Sequence, residues 1–254
     1  VYPKARASAV KALEIDPNAA EAYAVLATVN LNYDWDWEGA ESAFRKAIKL
    51  NSNTANVRVQ HAMFLVYHGR MNESLAEMTT AFSLDPLLNP TYLGFILLRM
   101  GRLDEARVQF QKSIESETGG AMAHWLLGHV DVLQGRYEEG LSNIRRALSL
   151  SDNNAIILSG LGWSNAVAGR RDESIRVLEE LRERSRREYI GPLLSAKIYS
   201  ALGENDLAFE WLERAYKEHD SSLVAILNDE SFTGLHQDPR FDELLKKMKL
   251  NREN

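Results

Sequence analysis

Glycine falls at one period through the middle of this 254-residue chain: Gly69, Gly101, Gly135, Gly169 and Gly203 are separated by 32, 34, 34 and 34 residues. Each is followed by a polar residue and a helix start rich in Asn, Asp and Glu. The five copies are Gly69-Arg70-Met71-Asn72-Glu73, Gly101-Arg102-Leu103-Asp104-Glu105, Gly135-Arg136-Tyr137-Glu138-Glu139, Gly169-Arg170-Arg171-Asp172-Glu173 and Gly203-Glu204-Asn205-Asp206. Glycine closes a helix in the left-handed conformation without a Cβ clash, and acidic residues in the first turn of the next helix complement its dipole. Each period therefore reads as a helix, a tight turn and a second helix. A chain of such units stacks on its neighbours rather than collapsing around one centre.

Small and apolar residues recur at helical spacing after each turn: Ala40, Phe44, Ala47; Ser74, Met78, Ala81; Ala106, Phe110, Ser113; Gly140, Ile144, Ala147; Ser174, Leu178, Leu181; Ala208, Leu212, Ala215. The small ones permit close helix approach and the large ones fill the space between pairs. With Leu93-Gly94, Leu127-Gly128 and Leu161-Gly162 on the first helices, Leu26-Ala27 as a variant, and Pro17 and Pro86 closing units, the pattern resembles the 34-residue tetratricopeptide repeat. The resemblance implies an all-α fold, a right-handed superhelical solenoid of antiparallel helix pairs with a C-terminal capping helix.

The expected organisation is a single solenoid over 1–254. It comprises the second helix of a truncated opening repeat (3–16), six repeats over 20–220 beginning near Ala20, Ala55, Leu87, Ala121, Ala155 and Tyr189, and a cap over 221–254. Because the chain starts inside a repeat, it is expected to belong to a longer polypeptide. Two departures stand out. The first full unit replaces its turn glycine with Asn32-Tyr33-Asp34-Trp35-Asp36-Trp37 and is one residue long, and the junction after Pro86 is two residues short. In the tail, 222–227 reads as a short apolar helix and 228–237 as a loop anchored by Phe232 and Leu235. Asp238-Pro239 then starts a last helix whose stripe is Phe241, Leu244, Leu245 and Met248.

Composition narrows the functional classes. A formal charge of -6, spread through mixed-sign segments, offers no basic field to a phosphate backbone, so no nucleic acid is expected as partner of this region. No apolar run approaches the roughly 20 residues that span a bilayer, and no membrane role is expected. The absence of Cys removes thiolate ligands and nucleophiles, and it suits a reducing, cytoplasmic setting. No phosphate loop, nucleophile elbow or His-Glu-x-x-His metal motif occurs, so the chain reads as a non-enzyme without cofactor or metal. Ser159-Gly160-Leu161-Gly162-Trp163 imitates a glycine-rich loop, yet it lies inside a helix at the Leu-Gly position. His61, His68, His124 and His129 lack metal-ligand spacing. Arg182, Arg184, Arg186 and Arg187 interleave with Glu179, Glu180, Glu183 and Glu188 and read as a paired, solvated helix face. Trp35 and Trp37 flank a turn, where one is expected to anchor packing and the other to be partly exposed.

The expected function is a protein–protein interaction scaffold that takes a protein or peptide with an apolar or amphipathic segment in its concave groove. The positions that the family resemblance places on that groove are Gln60, Met63, Tyr67, Tyr92, Phe95, Arg99, Trp125, His129, Trp163 and Lys197, a surface read as aromatic and nearly uncharged. Phe95 and Trp163 fit inter-helix core equally well. A clamp for a terminal carboxylate is disfavoured, because Ala24, Thr28, Gln60, Leu88 and Tyr92 do not supply its Lys, Arg and Asn set. Tyr33 to Asn51 and Asp238 to Leu245 also resemble the C-terminal repeat regions of bacterial signalling proteins. That resemblance implies the alternative: a regulatory, sensor or dimerisation region of a larger nucleotidyl cyclase, Ser/Thr kinase or winged-helix regulator.

Overall fold

The computed structural model describes residues 2–250, which form fourteen α-helices, one π-helical segment and two 3-10 segments, with no strand among them. The helices are α1 (Tyr2–Ile15), α2 (Ala20–Val29), α3 (Trp37–Leu50), α4 (Ala55–Tyr67), α5 (Met71–Leu84), α6 (Thr91–Arg99) and α7 (Leu103–Glu115). They continue as α8 (Gly120–Leu133), α9 (Tyr137–Leu150), α10 (Ala155–Val167), α11 (Arg171–Arg184), α12 (Pro192–Ala201), α13 (Asn205–Lys217) and α14 (Pro239–Lys247).

The periodic glycines do what their spacing requires. All five adopt φ between 72° and 78°. The residue after each donates its backbone N–H to a carbonyl five positions back, as Arg136 does to Asp131 at 2.8 Å and Arg170 to Asn165 at 2.8 Å. Carbonyls left over at the helix end are thereby satisfied, and the chain reverses within a few residues. The first full unit lacks this glycine and carries an extra residue. It absorbs the surplus in a π-helical turn, Asn30–Asp34, and Trp35 takes the left-handed place at φ 50°. Widening one turn to the π pattern accommodates one inserted residue without breaking the helix.

Close packing follows from the small residues. A Cβ on Gly128 would meet the Gly140 carbonyl oxygen at 2.5 Å, and one on Gly140 would meet that of Gly128 at 2.6 Å, so α8 and α9 touch backbone to backbone. The buried serines of the second helices are satisfied by backbone carbonyls of their partner helices: Ser74 Oγ donates to Ala62 O and Ser174 Oγ to Gly162 O, both at 2.8 Å. At the short junction α6 begins at Thr91 rather than near Leu87, which is 87% exposed. Asn89 organises the gap, its Oδ1 accepting from Thr91 N at 2.9 Å and its Nδ2 donating to Thr118 O at 2.9 Å.

Two compact units result. One holds Tyr2–Leu88, Val224–Asn228 and Lys246–Leu250; the other holds Asn89–Leu223 and Asp229–Leu245. In the second unit α6/α7, α8/α9, α10/α11 and α12/α13 form four helix pairs. The tail is more regular than its sequence pattern implies. Ser221–Asn228 is a 3-10 segment, and the stretch expected as a loop contains a second, Glu230–Leu235, with Phe232 and Leu235 fully buried. In α14 Phe241, Leu244 and Leu245 are at most 2% exposed, and Arg240 stacks on Phe209 of α13 with its guanidinium carbon 4.1 Å from the ring centre.

Candidate functional site

In the second unit the first helices of the four pairs, α6, α8, α10 and α12, each turn one side toward a common face. Six of the groove positions expected from sequence meet there: Phe95 and Arg99 from α6, Trp125 and His129 from α8, Trp163 from α10 and Lys197 from α12. Between them remains a cavity of about 40 Å³, space for a few water molecules. The face is already filled, because Asp229, Glu230 and Ser231 of the tail line the same cavity.

Asp229 sits where three requirements converge. One carboxylate oxygen accepts from the backbone N–H of Ser231 at 3.0 Å and starts the 3-10 segment, while the other meets Lys197 Nζ at 2.7 Å. Arg99 Nη1 approaches the first oxygen at 3.9 Å. Glu230 receives the same Arg99 guanidinium on one oxygen and the imidazole Nε2 of His129 on the other. Ser200 Oγ of α12 donates to Ser231 O at 2.8 Å, tying the backbone of the segment to the face. Burial would raise the Asp229 carboxyl, but Lys197 and Arg99 outweigh it and hold the group well below the usual carboxylate range. The Glu230 carboxyl is likewise pushed up by burial and brought down further by Arg99 and His129.

The expectation of a nearly uncharged aromatic groove is corrected by this geometry. Arg99 and Lys197, with side chains only 9% and 20% exposed, make the face cationic, and it is neutralised by the tail acids. Trp163 is 5% exposed and packs against the His129 ring at 4.4 Å between centres, so it is a wall of the site. Phe95 lies under the Arg99 guanidinium at 4.8 Å. The indole Nε1 of Trp125 and Nδ1 of His129 are buried without a hydrogen-bond partner. Tyr92 is 41% exposed and stands outside the cavity. Gln60, Met63 and Tyr67 lie on α4 in the first unit, where Gln60 accepts from Thr28 Oγ1 at 3.2 Å and the Asn228 side-chain amide donates to Val66 O at 2.8 Å.

The remaining sequence candidates resolve as structural features. Ser159 of the glycine-rich imitation donates to Leu194 O at 2.7 Å inside the helical stack. In the Arg-rich stretch Arg184 pairs with Glu188 at 2.7 Å and Arg186 with Glu183 at 2.5 Å. Trp35 is buried, whereas Trp37 is half-buried and donates from Nε1 to Met248 O at 2.7 Å. Among the described residues no three His, Cys, Asp or Glu side chains are grouped as a metal site, and no helix is long and apolar enough to cross a membrane. Asp229 and Glu230 escaped sequence reasoning. Their only signal was an acidic pair set between the apolar run Leu223–Leu227 and Phe232.

No protein-family model matches the chain. The type IV pilus assembly protein PilF of Pseudomonas aeruginosa is 32% identical over 108 residues, an alignment covering 41% of this chain and 42% of PilF. The chain thus matches less than half the length of that curated relative. Among solved structures, a tetratricopeptide repeat protein from Parabacteroides merdae superposes with a TM-score of 0.64 at 16% identity, over 98% of this chain and 92% of that one. A chain of the APC/C hetero-tetramer Cut9–Hcn1 gives 0.68 at 17% identity, over 97% of this chain and 46% of its own. PilW, a type IV pilus biogenesis factor, gives 0.61 at 21% identity, over 74% and 87%. At these identities the likeness concerns architecture, and the chain has the tetratricopeptide-repeat fold.

Proposed function

We propose that this chain is a protein-interaction scaffold, without catalysis of its own, whose first-helix face takes an amphipathic segment of a partner protein. The observation that carries the reading is the occupied face itself: side chains of α6, α8 and α12 converge on one short stretch of polypeptide, Asp229–Ser231, and α10 lines the same cavity. A surface that orders a segment of its own chain through backbone, ionic and apolar contacts has the chemistry to order a foreign one. The similarity over 108 residues to a pilus assembly protein supports a role in holding other proteins together.

The test is the affinity of an identified partner for the intact protein and for folded Trp125→Ala and Tyr92→Ala variants. Loss of a hot-spot ring removes about 2 kcal/mol, roughly thirtyfold in Kd. The lining position Trp125 should show the larger loss. If both variants bind as tightly as the parent, the first-helix face is not the interaction surface.

A further inference from the structure

Three side chains that could recognise acid, Arg99, His129 and Lys197, come from three different helices of one unit and point at two adjacent carboxylates. None of the three finds its acid on its own helix or on the helix paired with it, and both acids belong to the tail. Arg99 serves both carboxylates, so the two acids are recognised as a pair. The next apolar residue of the segment, Phe232, is fully buried and anchors the stretch that follows the acids. The 3-10 segment is only six residues long, so side-chain contacts carry a large share of what holds it in place.

Resting on the scaffold reading above, we propose that Arg99, His129 and Lys197 form a recognition socket for an internal acidic pair followed closely by an aromatic residue, and that Asp229-Glu230 of the tail is its resident, displaceable occupant. The partner is then a protein segment carrying Asp or Glu at two successive positions, and it competes with the tail for one site. The socket addresses side-chain carboxylates in mid-chain, so a free chain terminus is not needed. In the resting protein the tail excludes weak or singly charged competitors, which gives the face a threshold for engagement.

The probe is a fluorophore-labelled peptide of residues 228–236, acetylated and amidated so that no terminal charge contributes. Its binding is followed by anisotropy on the full chain and on the Asp229→Asn/Glu230→Gln variant, in which the resident loses its charges while the socket remains. The variant is expected to bind at least tenfold more tightly than the parent. A peptide with Asn-Gln in place of Asp-Glu should bind the variant at least tenfold more weakly. Adding Arg99→Gln and Lys197→Gln to the variant should abolish the difference between the two peptides.

Equal binding of acidic and neutral peptides to the variant would overturn the socket while leaving the scaffold reading standing. Binding of neither peptide to the variant would also overturn the socket, with the scaffold reading then judged by the Trp125 and Tyr92 variants. Should the doubly neutralised variant fail to fold, the parent protein is measured instead. Millimolar acidic peptide is expected to speed amide exchange across 230–236, and an unchanged exchange rate there would overturn displacement. Concentration-dependent dimers of the parent with exchanged tails would assign the socket to a second copy and overturn a foreign partner.

Discussion

Arg99 and Lys197 are charges on a largely buried helix face, and two carboxylates reach them there. Removing one partner of a buried pair leaves the other unpaired and desolvated, a larger penalty than the net worth of the pair. Asp229→Ala is therefore expected to destabilise the second unit by about 3 kcal/mol, since Asp229 is 3% exposed and also caps the 3-10 segment. Urea denaturation read by fluorescence checks this, and a loss under about 1 kcal/mol would mean that water replaces the carboxylate at the socket. The pH dependence has a definite sign. Both carboxyls titrate below their unfolded values of about 4, so their stabilisation is complete above that range and is lost as pH falls beneath it. Between pH 6 and pH 3 the denaturation midpoint of the parent should fall more steeply than that of Asp229→Asn/Glu230→Gln; parallel slopes would show that the acids are not held in the ionised state.

At the scale of the element, the turns show which sequence signals are local and therefore readable. A glycine at the helix end, a polar residue and an acidic first turn each act within a few residues of themselves, so the turns that close α4, α6, α8, α10 and α12 follow from pattern alone, whereas the late start of α6 does not. The first full unit shows what happens when the signal is missing. Its surplus residue was legible, but the answer, a π turn closed by a left-handed Trp35, depends on packing. Two effects oppose each other there. Trp35→Gly would relieve left-handed strain of about 1–2 kcal/mol, yet it would empty the place of a ring that is 6% exposed, a loss of about 3–5 kcal/mol. Burial wins, and the variant is expected to be less stable by about 2 kcal/mol. Gly135→Ala, at φ 78° with open space around the new methyl, has only the backbone penalty and should cost about 1 kcal/mol. A Trp35→Gly protein more stable than the parent would show that strain dominates that turn.

For the molecule as a whole, the part that sequence pattern could not supply is the path of the tail. The Arg99–Glu230 pair joins residues 131 apart, and contacts at that separation leave no periodic trace in either segment. The helical stripe of α14 was readable because Phe241, Leu244 and Leu245 repeat within one element; the acidic pair had no such period. After α13 the tail gives Val224–Asn228 to the first unit, Asp229–Leu245 to the second, and Lys246–Leu250 to the first again. Ending the chain after Gln237 should then weaken both units, for separate reasons. The second loses Phe241, Leu244 and Leu245, each worth about 1.5–3 kcal/mol when fully buried, together with the Arg240 stack on Phe209. The first loses buried Met248 and Leu250 and the carbonyl that accepts from Trp37 Nε1. Because Asp229–Leu235 is retained, the socket keeps its occupant, and peptide binding should not rise as it does when the acids are neutralised. Hydrogen exchange is the appropriate readout, with protection expected to drop in α13 and in α3. Unchanged exchange in α13, or an unchanged melting temperature, would show that the last helix is not part of the second unit's core.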